Sequence, residues 1–242
     1  MVASLGNARN RREEKCFVAE GTKCVVDTWN AFKCRYLFAT SAWIEAHAKE
    51  LPGVNPIVVK RADMERMSQL STPSQVLAVY ELPDVEFDEA SLSSNLVIAL
   101  DRVQDPGNLG TIMRIADWFG ITDIVCSPDT VDVYNPKVVQ ATMGAISRVR
   151  VHYLDLEDLI KRNAEIPVYG TFLDGRNIYE TSLTPHGIVV MGNEGQGISD
   201  GVGSLIKRRL FIPSYPQERL TSESLNVGMA TAITIAEFRR RM

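Results

Sequence analysis

Three stretches of the 242-residue sequence combine residue types and spacings that could do chemistry. The first, Leu100-Asp-Arg-Val-Gln-Asp-Pro-Gly-Asn108-Leu-Gly-Thr-Ile-Met-Arg114, reads as a Pro-Gly turn entering a helix that Asn108 would cap. On a 3.6-residue wheel Leu109, Ile112, Ile115, Ala116 and Phe119 gather on one side. Arg114 points roughly opposite them, where a guanidinium is either solvated or free to grip a phosphate in a bidentate fork. The second stretch, Ile188-Val-Val-Met-Gly192-Asn193-Glu194-Gly195-Gln196-Gly197-Ile198-Ser199, puts three glycines in six positions between an apolar strand and a helix start. Such a loop lets a ligand approach bare backbone. Its order is G-x-x-G-x-G, not the dinucleotide fingerprint G-x-G-x-x-G, and Glu194 would repel a pyrophosphate, so a neutral or cationic ligand suits it better. The third runs from Leu210-Phe-Ile212-Pro213 to Ser224-Leu225-Asn226-Val227. It reads as a strand, a long loop and a capped helix with Asn226 just inside, where helix propensity gives that residue little reason to be.

These stretches need elements to hold them. From residue 96 onward, strand-like apolar runs alternate with amphipathic stretches: strands at Leu96–Leu100, Ile124–Cys126, Val149–His152, Val168–Thr171, Ile188–Met191 and Leu210–Ile212, and helices between and after them, the last at Leu225–Phe238. Alternation of this kind predicts an α/β fold, a mostly parallel sheet covered by helices on both faces. Its chemistry belongs in the loops beyond the strand C-termini, where all three motifs fall. The first eighty residues predict a smaller α/β sandwich, with strand-like runs such as Phe17-Val-Ala, Tyr36-Leu-Phe and Val76-Leu-Ala-Val, and Ser41 as a helix N-cap.

Charge divides the chain the same way. Residues 1–80 carry eleven Lys/Arg against eight Asp/Glu, residues 81–95 carry five acids and no base, and residues 96–242 carry fifteen Lys/Arg against seventeen Asp/Glu. The expected domains are therefore a basic one at 1–80, an acidic linker at 81–95 and a near-neutral domain at 96–242. A local basic surface is compatible with nucleic acid although the formal total is −4. No run approaches the ~18 apolar residues of a membrane span, and the N-terminus lacks the apolar core of a secretion signal. Four cysteines without a C-x-x-C pair and three scattered histidines fit reduced thiols in a cytoplasm better than a zinc site or disulfide framework.

Taken together, D-P-G-N-L-G-x-x-x-R, M-G-N-E-G-x-G-I and I-P…S-L-N-V, in that order, resemble the SpoU (TrmH-like) family of RNA 2′-O-ribose methyltransferases in the SPOUT superfamily. The F-V-x-E-G near Phe17–Gly21 and the S-x-x-x-T-P-S at Ser68–Ser74 are similar to the L30e-like substrate-binding domain many members carry. The resemblance implies a deep trefoil knot, a homodimer, no metal, and S-adenosylmethionine as cofactor. It implies that backbone near Thr171, Phe172, Gly192, Asn193, Glu194, Gly195, Ile212, Pro213, Leu220 and Leu225 holds that cofactor. The family's functional positions match Asn108, Arg114, Glu194, Ser224 and Asn226 here. Two departures stand out: ten residues separate Pro213 from Ser224 where the usual loop is shorter, and Gln140 replaces an arginine found in many members.

The chemistry suits these residues. A ribose hydroxyl attacking a sulfonium methyl must lose its proton as the bond forms, so a positioned base and an orienting frame suffice. A guanidinium is always charged, so Arg114 reads first as a phosphate clamp that places the ribose, and only secondarily as the family's proposed base. Asn108 and Asn226 could hold loops and the hydroxyl, Ser224 could cap its helix or touch RNA, and Glu194 could order loop N–H groups or favour the sulfonium. Arg9, Arg11, Arg12, Lys15, Lys23 and Lys33 are candidates for phosphate contacts. Ribosomal RNA is the expected substrate, with transfer RNA as alternative. Rivals of other classes are a non-catalytic RNA-binding protein and a nucleotide-dependent oxidoreductase; the absent G-x-G-x-x-G weighs against the latter.

Overall fold

The computed structural model describes residues 1–47, 49–50, 55–216 and 224–240. These form two compact units, Met1–Val85 with Asp132–Arg148, and Glu86–Val131 with Val149–Met242.

The first unit contains α1 (Ala8–Glu14), β1 (Cys16–Glu20), α2 (Thr22–Thr28), β2 (Cys34–Ala39), α3 (Ser41–His47), β3 (Ile57–Val58), α4 (Arg61–Met67) and β4 (Val76–Glu81). Its sheet order is β1-β4-β2-β3, with β4 antiparallel to β1 and β2, and β3 parallel to β2 at one edge. β4 is buried along nearly its whole length, as its unbroken run Val76-Leu-Ala-Val-Tyr requires. Fully buried Phe17 and Tyr80 centre an aromatic cluster with Phe32. Residues 132–148, inside the 96–242 stretch that sequence assigns to the other domain, pack with this unit. Tyr134 lies 4.7 Å from Phe17, and Asp132 pairs with Arg11. Arg11 is therefore no candidate for a phosphate: it is 2% exposed and also donates to the carbonyls of Leu5 and Gly6. The cap of α3 is Thr40, whose hydroxyl accepts the Trp43 N–H, one residue ahead of the expected Ser41.

The second unit contains β5 (Leu96–Leu100), α5 (Pro106–Trp118), β6 (Asp123–Cys126), β7 (Arg150–Tyr153), α7 (Leu156–Arg162), β8 (Val168–Asn177), β9 (Gly187–Met191), α8 (Asp200–Leu205), β10 (Arg208–Phe211) and α9 (Val227–Arg240); the intervening α6 (Pro136–Ala141) belongs to the first unit. All six strands are parallel, in the order β10-β8-β9-β5-β6-β7. The expected α/β fold with a parallel sheet is what the chain forms. β5 and β9 are buried at every position, matching their unbroken apolar runs. Glu81 ends β4 and the end of the acidic stretch is ordered: Asp88 caps a 3-10 turn at Glu89–Ser93, and Leu92 is fully buried. The trefoil knot that the resemblance implies would involve the path after β10, and residues 217–223 of that path lie outside the described residues.

Candidate active site

Parallel strands bring their C-terminal ends to one edge, and the three motifs leave the sheet there, after β5, β9 and β10. Asp105, not Asn108, caps α5: its carboxylate accepts the Asn108 backbone N–H at 2.8 Å, with Pro106 in the first turn. That frees the Asn108 side chain, whose Nδ2 donates to Glu194 Oε1 at 2.6 Å while its Oδ1 accepts from Asn226 Nδ2 at 2.9 Å. Asn226 in turn caps α9, which begins at Val227 and not at Leu225; its Oδ1 accepts the N–H groups of Gly228 and Met229 at 2.9 and 3.3 Å. This explains an asparagine that helix propensity does not.

The row fixes both amide orientations. A carboxylate only accepts and helix N–H groups only donate, so Nδ2 of Asn108 must face Glu194 and Oδ1 of Asn226 must face α9. Each amide keeps one N–H for a ligand. The two helices meet closely behind the row, where a Cβ on Gly228 would sit 3.1 Å from Thr111.

The glycine loop is held from several sides. Asn193 and Gly197 exchange backbone hydrogen bonds at 3.0 and 2.9 Å, and Asn193 Oδ1 accepts the N–H groups of Gly195 and Gln196. A Cβ on Gly192 would lie 2.3 Å from the backbone of Gly197 and Ile198, so this position admits only glycine in this geometry. Gly197 has a φ of +69°. Two residues that sequence reasoning did not single out anchor the loop. Asp101, 2% exposed, accepts the Ser199 N–H at 2.6 Å. Arg102, at a φ of 59°, accepts Asn193 Nδ2 on its carbonyl and donates to Gln196 Oε1. Their signal was position alone, directly after a core strand.

The other expected residues divide. Thr171 and Phe172 lie on β8 within an excursion, since β10 pairs Arg209 with Gly170 and then Leu210 with Arg176. The partly buried Phe172 ring packs on the core beneath the Arg209 guanidinium. Ile212 and Pro213 are half-buried after β10. Leu225 is 48% exposed, and Leu220 lies outside the described residues. Arg114 is exposed on α5, without an ion-pair partner among the described residues and not bonded to the row. Ser224 is exposed and joins no part of the row.

The described residues fit S-adenosylmethionine. Nothing lies within 4 Å of where a Cβ would stand on Gly197, and only the Asn193 amide, at 3.8 Å, comes near that position on Gly195, so bare backbone faces open room. Glu194 places a carboxylate beside it for a sulfonium, and Leu225 and Met229 offer exposed apolar surface. Among the described residues no group of three or more His, Cys, Asp or Glu side chains is placed to hold a metal ion, and no helix is long and apolar enough to cross a membrane.

Similar proteins bear on this edge directly. The chain matches the SpoU rRNA methylase family over residues 95–236 and the MRM3-like substrate binding domain over residues 1–78. It is 31% identical over 191 residues to the 23S rRNA (guanosine(2553)-2′-O)-methyltransferase RlmP of Bacillus subtilis, covering 77% of this chain and 73% of that one. Among solved structures, a protein from Porphyromonas gingivalis assigned to the TrmH family of RNA methyltransferases aligns with a TM-score of 0.87 at 39% identity, over 100% of this chain and 96% of the other. An AdoMet-bound rRNA methyltransferase from Sinorhizobium meliloti aligns at 0.83 and 28%, over 100% and 93%. With the family match spanning more than half of its length, the chain belongs to the SpoU rRNA methylase family.

Proposed function

We propose that this S-adenosylmethionine-dependent RNA 2′-O-ribose methyltransferase acts on ribosomal RNA, with Asn108, Glu194 and Asn226 framing the reaction and Arg114 gripping a substrate phosphate. The observation that carries the division of roles is the continuous row from Glu194 through Asn108 and Asn226 to the N-terminus of α9. S-adenosylmethionine supplies an electrophilic methyl group when bound against the backbone of Gly192–Gly195 and Ile212–Pro213. Glu194 sets a negative charge beside that position, and the free amide N–H groups of Asn108 and Asn226 orient the ribose. Arg114 takes the phosphate as a planar fork and so fixes where the 2′-hydroxyl stands. Ser224 meets the RNA near the start of α9.

Ribosomal RNA is favoured over transfer RNA because RlmP and the Sinorhizobium meliloti protein are named for it. A homodimer in the cytoplasm completes the reading; Met229 on α9, Leu225 just ahead of that helix and the 84% exposed Trp118 on α5 supply apolar surface. The test is incubation with methyl-labelled cofactor and ribosomal RNA from cells lacking the gene, with and without EDTA, followed by digestion to nucleosides. Label in a 2′-O-methyl nucleoside, unaffected by EDTA, is expected. Label on a base, or a strict metal requirement, overturns the reading, and a monomeric mass with full activity overturns the dimer.

A further inference from the structure

The edge of the first unit away from β1 carries a cavity that the methyl-transfer site does not use. It measures about 430 Å³, within the roughly 300–1,000 Å³ range of ligand pockets. Trp29, Phe32 and Tyr36 give it ring surface, Cys34 lines it, and Arg35 and Asn55 add a guanidinium and an amide. Two of the rings are anchored from behind: Phe32 packs edge-on against Phe17 at 5.0 Å, and Trp29 against Tyr80 at 6.5 Å.

The strand itself is bent to make this surface. β2 pairs Cys34 with Tyr80 and Tyr36 with Val79, leaving Arg35 as the extra residue of a bulge. In a regular strand Arg35 and Tyr36 would face opposite sides of the sheet. At the bulge both are exposed, and both line the cavity. Bulges that re-aim side chains recur next to functional sites. Lys33 and Arg35 share the single carboxylate of Glu81, at 3.1 and 3.9 Å, so two cations face one anion. Burial pushes the Cys34 thiol up to about 11, so the wall carries no thiolate at neutral pH to oppose a phosphate.

Ring faces, an amide able to donate and accept, and a cationic rim are together the chemistry of an unstacked nucleotide. We propose that this cavity binds a flipped or single-stranded base of the RNA substrate, stacked on Tyr36 with Arg35 at its phosphate and Asn55 on its edge. The inference rests on the reading of the chain as an RNA methyltransferase and adds to it a second, non-catalytic contact.

The full-length protein is titrated with a short single-stranded RNA carrying one 2-aminopurine, whose fluorescence falls when the base stacks on a protein ring, and with the same RNA in a duplex. Quenching by the single strand, and little by the duplex, is expected. Tyr36→Ala should lower affinity on the order of tenfold and abolish the quenching, while Tyr36→Phe keeps both. Arg35→Ala should flatten the salt dependence, and Asn55→Ala should weaken binding. Circular dichroism and a thermal melt matching the wild type show that the first unit of each variant is folded, and unchanged S-adenosylmethionine affinity shows that the second is intact. Absence of quenching with the wild type, or quenching unaltered in Tyr36→Ala, overturns the proposal. Failure of the wild type to methylate ribosomal RNA would instead overturn the catalytic reading, and the quenching titration decides the cavity either way.

Discussion

At the strand ends of the second unit, Asn108 and Asn226 are held by partners that allow one orientation each, a carboxylate on one side and helix N–H groups on the other. On the bulged strand of the first unit, Tyr36 and Arg35 lie exposed, and among the described residues the polar partners of Arg35 are Glu81 and the Glu14 carbonyl. The first arrangement suits a reaction, where misplacement by an ångström costs on the order of a hundredfold in rate. The second suits capture of a flexible strand, where stacking and charge tolerate variation. Placement by satisfied hydrogen bonds and capture by surface are thus separated along one chain, and each should fail in its own way when mutated.

The sharpest break is at Gly192. Its missing Cβ is the space that Gly197 and Ile198 occupy, so Gly192→Ala must displace loop backbone, and calorimetry should find cofactor affinity reduced on the order of a hundredfold or more. Gly195→Ala, with open room and no left-handed φ, should keep the loop and lose far less; equal losses would mean the loop is not built as described. Next comes Arg114→Ala, expected to cut turnover on the order of a hundredfold with cofactor affinity unchanged. Loss of cofactor binding in that variant would reassign the residue.

Smaller effects concern support. Asn226→Ala removes the cap of α9 and should cost about 1 kcal/mol in denaturant melts, besides its effect on turnover. The smallest is at the opposite sheet edge. Burial would raise the Asp123 carboxyl, but hydrogen bonds from Arg150, His152 and Thr122 more than offset this and hold it down at about 2. Since this lies below the ~3.9 of an unfolded aspartate, its stabilisation is complete above about pH 4 and is lost as pH falls toward 2. Thermal melts of Asp123→Asn should show a shallower acid decline than wild type; parallel declines would discount the network.

How much of this the sequence carries depends on the range of the interaction. β5 and β9 are legible because unbroken apolar runs bury both faces, and the first two motifs because each follows such a strand, whereas the third follows the partly exposed edge strand β10. The Asn108–Asn226 bond spans 118 positions, and no local pattern announces it. Asn108 looks like a cap because Asp105, three residues earlier, is an equally good one, and geometry alone decides between them. Residues 132–148 carry an ordinary helical period that does not say which unit they join. Arg35 is hidden for the opposite reason: a bulge breaks the alternation on which strand reading relies. Arg11 reads as a surface cation because the carboxylate it pairs with, Asp132, is 121 positions away.

The most direct test of the account is methyl transfer by Asn108→Ala, followed in a single turnover on ribosomal RNA lacking the modification, with cofactor affinity measured calorimetrically on the same preparation. The account predicts a 2′-O-methyl nucleoside formed on the order of a hundredfold more slowly than by wild type, at unchanged cofactor affinity. A wild-type rate from Asn108→Ala, or methyl recovered on a base, would contradict it.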